Sequence, residues 1–230
     1  MTKAIKFIVA VIISCVGLQA NAQVICDKTK DELKGVVSSC TTRVFKAVDK
    51  FGEIQKGDLS SEETTTYDKK GFKLSDSKYR YENSYTSSGK ISVVDIYVGS
   101  TLNKKRKFNH QSLKTIETVY GEDGAKKGDI VWTKNKSVDN ASDASTTTTT
   151  YNVSGNPVGQ RIEMGNFLTL VEYAYNPKGF CENMKMTIPY VATRTISYSQ
   201  YKYDTKGNWV YRVKSQDGEV IEIEEREITY

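Results

Sequence analysis

The chain has 230 residues, of which 38% are hydrophobic and 27% charged, and its formal net charge is +5. This length suits a single domain, and fifteen tyrosines exclude the aromatic-poor composition of a disordered chain. The 33 basic and 28 acidic residues nearly balance, which excludes a nucleic-acid-binding protein driven by overall charge. Because only one histidine and four cysteines are present, we predict no catalytic residue, no metal ligand and no cofactor.

The first residues have the pattern of a cleaved export signal. A short basic region precedes an apolar run over residues 7–18, and residues 20–22 (Ala-Asn-Ala) give signal peptidase the small residues it needs. We predict a signal peptide over residues 1–22 and an exported product, periplasmic or secreted. No later stretch is long and apolar enough to cross a bilayer, so no transmembrane segment is expected after cleavage. Lipidation of Cys15 in a lipobox is the alternative.

Residues 23–58 are predicted to form an N-terminal helical segment that caps the main domain. Apolar residues over 33–51 recur at helical spacing. Gly35 and the pair Thr41 and Thr42 weaken the helix, so two short strands are the alternative.

Three cysteines follow the predicted cleavage site, and export places them in an oxidising compartment. A disulfide between Cys26 and Cys40 is the simplest pairing and would close a loop of about 15 residues. A bond between Cys40 and Cys181 is the alternative and would tie the N-terminal segment to the main sheet. His110 follows a basic run in a predicted polar turn, so we expect no Cys–His catalytic pair.

From residue 59 onward the periodicity changes from helical to alternating. Short runs rich in Thr, Tyr, Val and Ile place apolar residues at every second position, which is typical of strands with one buried face. Turns that open with Asp or Asn and close with Gly separate these runs. Residues 59–230 are therefore predicted to form a mostly β domain, an antiparallel meander of β-hairpins. An open curved sheet or half-barrel is expected, because so long a sheet must curl or be covered.

Four turns share the core Tyr-[Asp/Asn]-x-x-Gly after a Thr- or Tyr-rich strand. They begin at Tyr67, Tyr151, Tyr175 and Tyr203. The copy over residues 201–211 resembles the YD repeat of Rhs-type bacterial proteins. The stretch over residues 201–230 is similar to the ends of small exported proteins of unknown function from Gram-negative gut bacteria. This resemblance implies a repetitive β-sheet and carries over no catalytic residue.

Two features are candidate binding sites. The first is an aromatic face that would stack on sugars or line a lipid groove, although aromatic pairs also stabilise sheets without a ligand. It comprises Tyr79, Tyr81, Tyr173, Tyr175, Tyr201, Tyr203, Trp209 and Tyr211. The second is a basic run that suits an anionic partner, or else forms a solvated loop between strands. It comprises Lys104, Lys105, Arg106 and Lys107.

These observations predict an exported, non-catalytic protein of the cell envelope that binds a protein, glycan or lipid. The acidic residues over 222–227 suit a charged edge strand better than the paired carboxylates of a glycosidase. A periplasmic carrier that holds an acyl chain or another apolar ligand in its curved sheet is the alternative. An internal apolar cavity would favour the carrier, whereas a filled core with an exposed aromatic face would favour the interaction module.

Overall fold

The structure is a computed structural model that describes residues 24–141 and 144–230. The predicted signal peptide and Cys15 lie outside the described residues. Sixteen antiparallel strands follow one another around a closed barrel. The elements are α1 (Asp27–Lys30), β1 (Ser39–Lys50), β2 (Glu53–Tyr67), β3 (Lys73–Ser75), β4 (Arg80–Tyr85), β5 (Ile91–Val98), β6 (Thr101–His110), β7 (Thr115–Tyr120), β8 (Lys126–Trp132), β9 (Lys136–Asp139), β10 (Thr146–Tyr151), β11 (Pro157–Met164), β12 (Phe167–Tyr175), β13 (Cys181–Ile188), β14 (Ala192–Tyr203), β15 (Trp209–Gln216) and β16 (Glu219–Thr229). Across the described ranges, no helix has the length and apolar character needed to cross a membrane.

The predicted antiparallel meander is confirmed, but the predicted open sheet or half-barrel is wrong. β1 pairs with β16 from Ser39 opposite Thr229 to Lys46 opposite Glu222, and this pairing closes the barrel. Closure gives the backbone N–H and C=O groups of both end strands a partner, which an open sheet would leave unpaired. The acidic strand β16 is therefore not an edge, because β1 and β15 flank it.

The helix predicted over residues 33–51 is also wrong. Among the described residues, only the four of α1 are helical, and β1 begins at Ser39. Gly35 takes a positive φ of 74°, which ends any helix there, and the following β-branched residues favour a strand. The register shifts beside Phe45 place extra residues in β2, whereas β1 pairs with β16 without a shift.

The four repeated turns lie at the same end of the barrel, because they follow the even-numbered strands β2, β10, β12 and β14. In the last turn, Asp204 Oδ1 accepts hydrogen bonds from the backbone N–H groups of Lys206 (2.9 Å) and Asn208 (2.8 Å). Gly207 adopts the left-handed conformation, with φ of 80°. In the other copies, the Asp or Asn that follows the tyrosine accepts the same two backbone hydrogen bonds, at Asp68, Asn152 and Asn176. Turn chemistry therefore accounts for the repeated residues.

Residues 24–38, which we call the capping segment, lie across this end of the barrel. The backbone N–H of Lys28 donates to the Gly71 carbonyl (2.8 Å). The Asn208 amide bonds to both backbone groups of Lys34 (2.7 and 3.2 Å). One apolar cluster forms around the start of the segment, with Val24 among Phe72, Ile91, Val94, Ile96, Phe108 and Trp132. A second forms around its end, with Leu33 and Val37 against Cys40 and Tyr67.

Candidate functional site

A pocket of about 920 Å³, which we call the large pocket, lies on the inner side of strands β4 to β9. Side chains alternate between the two faces of each strand, so every strand sends several of them inward. α1 contributes Asp27 to the wall at the capped end. The polar and ionisable residues of the wall include Asp27, Lys73, Tyr79, Tyr81, Asn103, Lys104, Arg106, Glu117 and Asp139. The pocket is therefore polar over much of its surface.

A buried ion pair forms part of this wall. Glu117 is fully buried, and its carboxylate accepts hydrogen bonds from Arg106 Nε (2.5 Å) and Trp132 Nε1 (2.9 Å). Burial alone would lower the pKa of Arg106, but the adjacent Glu117 carboxylate holds that pKa above its ordinary value. The pair fixes a positive charge and an indole ring beside the pocket.

The two tyrosines of this wall are held by each other and by Asp76. The rings of Tyr79 and Tyr81 meet edge to face, with centroids 6.3 Å apart. The Tyr81 hydroxyl donates to Asp76 Oδ2 (2.6 Å). Burial and this carboxylate raise the pKa of Tyr81, so its hydroxyl stays protonated. Asp76 and Tyr81 thus form a fixed polar contact, and the tyrosine rings form a rigid surface.

A second pocket, which we call the small pocket, has a volume of about 280 Å³ and lies against the other side of the capping segment. Arg212 of β15 forms ion pairs there with Glu32 of the capping segment (2.9 Å) and Glu224 of β16 (2.6 Å). Its guanidinium lies 4.0 Å from the centre of the Trp209 ring and 3.8 Å from that of Tyr198. These contacts join the cap to the barrel wall.

Arg226 of β16 also lines the small pocket and differs from Arg212. Although the residue as a whole is only half-buried, its Nε and Nη1 atoms are buried and have no hydrogen-bond partner among the residues the structure describes. Its guanidinium lies 3.7 Å from the centre of the Trp209 ring. Burial and then the charge of nearby Arg212 lower the pKa of Arg226, partly offset by the acidic groups.

The residues of the predicted aromatic face are distributed over separate clusters. Tyr79 and Tyr81 line the large pocket, and Tyr173 and Tyr175 line the small pocket. The remaining members are distributed as follows: Tyr201 and Tyr203 stack on each other and contact Phe180, Trp209 is buried, and Tyr211 lies beneath Lys202. Strand alternation and register shifts at the turns direct these side chains to different places. A role for them in binding stays a prediction.

The predicted basic patch lies within strand β6 and not in a loop, so alternation divides it between two faces. Lys104 and Arg106 line the large pocket. Lys105 forms an ion pair with Asp95 (3.2 Å), and Lys107 lies 5.1 Å from the centre of the Tyr120 ring. These four residues therefore do not form a single anion-binding surface.

The predicted disulfide between Cys26 and Cys40 is absent, since all three described cysteines are free thiols. Cys26 packs against the first apolar cluster and Cys40 belongs to the second. Burial raises the pKa of Cys40, and burial with the Glu32 carboxylate raises that of Cys181 to about 11. His110 ends β6, where its Nε2 contacts the Ile91 carbonyl (2.5 Å) and its Nδ1 contacts a threonine hydroxyl (3.0 Å).

No model of a known protein family and no curated protein matches the chain. Among solved structures, it is similar to a porin-like protein from Bacteroides uniformis, with 11% sequence identity and a TM-score of 0.33. The match covers 84% of this chain and 60% of that protein, so the chain spans less than two thirds of its length. A likeness this distant carries no argument about function. Conclusions about function therefore depend on the chain's own residues.

Proposed function

We propose that this chain is an exported, non-catalytic binding protein of the cell envelope that holds a polar ligand, such as a glycan, inside its barrel. The observation that carries the proposal is the large pocket, whose volume of about 920 Å³ lies in the range of ligand-binding pockets. Export is expected from the signal sequence over residues 1–22.

The wall of the large pocket favours a polar ligand over an acyl chain. An apolar ligand needs apolar walls. An acyl chain packed against unpaired charged groups would remove water from those groups without replacing the lost hydrogen bonds. Asn103 and Lys104 line the pocket, and neither side chain has a hydrogen-bond or ion-pair partner within residues 24–141 and 144–230. Both side chains can therefore bond a ligand. The rigid rings of Tyr79 and Tyr81 offer a surface on which a sugar ring can stack.

The outer wall supports a barrel that stands in water. Arg43 pairs with Glu62 (2.5 Å) and Arg161 pairs with Glu163 (2.8 Å), and all four side chains are substantially exposed. The outward faces of membrane barrels instead carry an apolar band, where such charges are destabilising. Strands β3 and β9 have three and four residues, whereas a strand needs roughly 9–11 residues to cross a bilayer.

Native mass spectrometry of the exported protein tests the proposal, with neutral and uronic-acid trisaccharides as probes. We expect a polar molecule bound on isolation, or a saturable complex with at least one trisaccharide. The variant Lys104→Met should weaken this binding, because Lys104 lines the pocket. Its control is Lys107→Met, which removes an outward lysine of the same strand and should bind normally. A bare mass with every probe, or binding unchanged in Lys104→Met, would contradict the proposal.

A further inference from the structure

We propose that the small pocket is a separate binding site for a small organic carboxylate, and that Arg226 is its principal ligand-binding residue. The two pockets share no lining residue. This site therefore goes beyond the polar-ligand site proposed for the large pocket and does not depend on it.

The unmatched nitrogens of Arg226 are the first argument. A charged donor that is buried without a partner is costly, and folded proteins rarely leave one unless something else binds it. Arg226 Nε and Nη1 have no partner in the described part of the chain. A carboxylate matches this need, because its oxygens carry the opposite charge and accept strong hydrogen bonds from guanidinium N–H groups.

The neighbouring acids are the second argument, since Glu32 and Asp31 bond to other groups and neither forms an ion pair with Arg226. Glu32 accepts from Arg212 (2.9 Å), from Trp209 Nε1 (3.2 Å) and from the Cys181 backbone N–H (2.6 Å). Asp31 accepts from the Tyr67 hydroxyl (2.7 Å). The described chain therefore offers Arg226 no ion-pair partner, although its positive charge lies beside that of Arg212.

The walls of the small pocket show that the anion has an organic body. Tyr173, Tyr175 and Tyr198 line the pocket together with Pro157 and Met184. The Tyr173 hydroxyl donates to Gln160 Oε1 (2.9 Å) and the Tyr175 hydroxyl to the Pro157 carbonyl (2.5 Å), so both rings are fixed. A pocket of about 280 Å³ with such walls suits a ring or short chain attached to a carboxylate.

Isothermal titration calorimetry with benzoate tests the site, with benzamide as the uncharged probe of the same shape. We expect benzoate to bind saturably. We expect benzamide to bind with an affinity at least about tenfold lower, because it cannot form a charged hydrogen-bonded pair. Equal affinity for the two probes would overturn the proposal. If inorganic phosphate binds as tightly as benzoate, the inference that the ligand has an organic body would be overturned.

Two variants of Arg226 locate the binding. Arg226→Gln should weaken benzoate binding by about tenfold or more, whereas Arg161→Gln, on the outer wall, should leave it unchanged. Arg226→Lys keeps the charge but loses the planar guanidinium and its several N–H donors, so it should fold like the parent and bind benzoate with reduced affinity. Full affinity in both Arg226 variants would overturn the assignment. Lys104→Met should bind benzoate normally. This variant therefore distinguishes binding in the small pocket from binding in the large pocket.

Discussion

The buried pair of Arg106 and Glu117 permits a quantitative test of the barrel interior. The substitution Glu117→Gln keeps the size of the side chain but removes the negative charge opposite Arg106. The Glu117 side chain has no exposed surface and that of Arg106 is 17% exposed. Arg106 lines the large pocket, but because so little of its side chain is exposed, water can replace the lost carboxylate only in part.

The expected loss follows from the geometry of the pair. Removing one partner of a buried ion pair costs about 3–5 kcal/mol, because the other charge stays buried. The amide that replaces the carboxylate keeps one oxygen for the Trp132 N–H (2.9 Å in the parent), so we expect the lower end, about 3 kcal/mol. A domain of this size loses about 2–4 °C of melting temperature per kcal/mol, so the midpoint should fall by about 6–12 °C.

Urea unfolding and thermal unfolding, followed by circular dichroism, measure this loss. The matched control is Glu163→Gln, which breaks the exposed pair with Arg161 and should scarcely change the midpoint. The double variant Arg106→Met/Glu117→Leu should recover much of the stability, because apolar residues commonly replace a buried pair without loss. A Glu117→Gln midpoint as close to the parent as that of the control would refute the reasoning.

Three further predictions concern other parts of the barrel. A Cβ on Gly128 would lie 2.2 Å from a backbone oxygen, whereas one on Gly159 would lie 3.3 Å from a threonine hydroxyl and 3.7 Å from a backbone oxygen. Gly128→Ala should therefore lower the unfolding free energy in urea by about 1–3 kcal/mol, and clearly more than Gly159→Ala. Burial raises the pKa of Asp204, but hydrogen bonds from the Tyr230 hydroxyl and backbone N–H groups outweigh it and leave that pKa low. The stabilisation that the Asp204 carboxylate provides is complete above its pKa of about 4 in the unfolded chain. It is lost as the pH falls through the lower pKa of Asp204 in the folded protein. Asp204→Asn should thus be less stable at neutral pH and lose less stability than the parent between about pH 5 and about pH 2. With a pKa of about 11, Cys181 should react with a thiol reagent about tenfold faster per pH unit from about pH 8 to about pH 10, as followed by peptide mapping. A rate that levels off near pH 9 would show an ordinary thiol.

The local features of the fold could be predicted from the sequence. Strand β7 has buried residues at every second position, as its alternation requires. The repeated turns have residues that such turns need, so their positions follow from local chemistry. Closure of the barrel could not be predicted in this way. It depends on the pairing of β1 with β16, which lie at opposite ends of the chain, so no local pattern shows that these two strands pair.

The pockets were harder to predict, because charged runs are usually exposed and two of them here are divided between the outer wall and the interior. On β6 the inward residues of the basic run are Lys104 and Arg106, and on β16 Arg226 and Glu224 are inward. One signal was available. A hairpin about the Asp217–Gly218 turn places Arg212 opposite Glu224, and opposite charges across a hairpin indicate a pair. The sequence could not show that this pair faces inward.

The size of the barrel explains why its interior is polar. Eight strands enclose a space that side chains can fill, whereas sixteen enclose far more. Here the capping segment occupies part of that space, and Glu32 fixes it to Arg212 (2.9 Å). Residues left facing the unfilled space must tolerate water, so charged and tyrosine side chains line it in place of aliphatic ones. The large pocket takes Asp27 from the capping segment and the small pocket takes Glu32. Residues of the cap therefore line both pockets, and a ligand that contacts them would stabilise the docked cap.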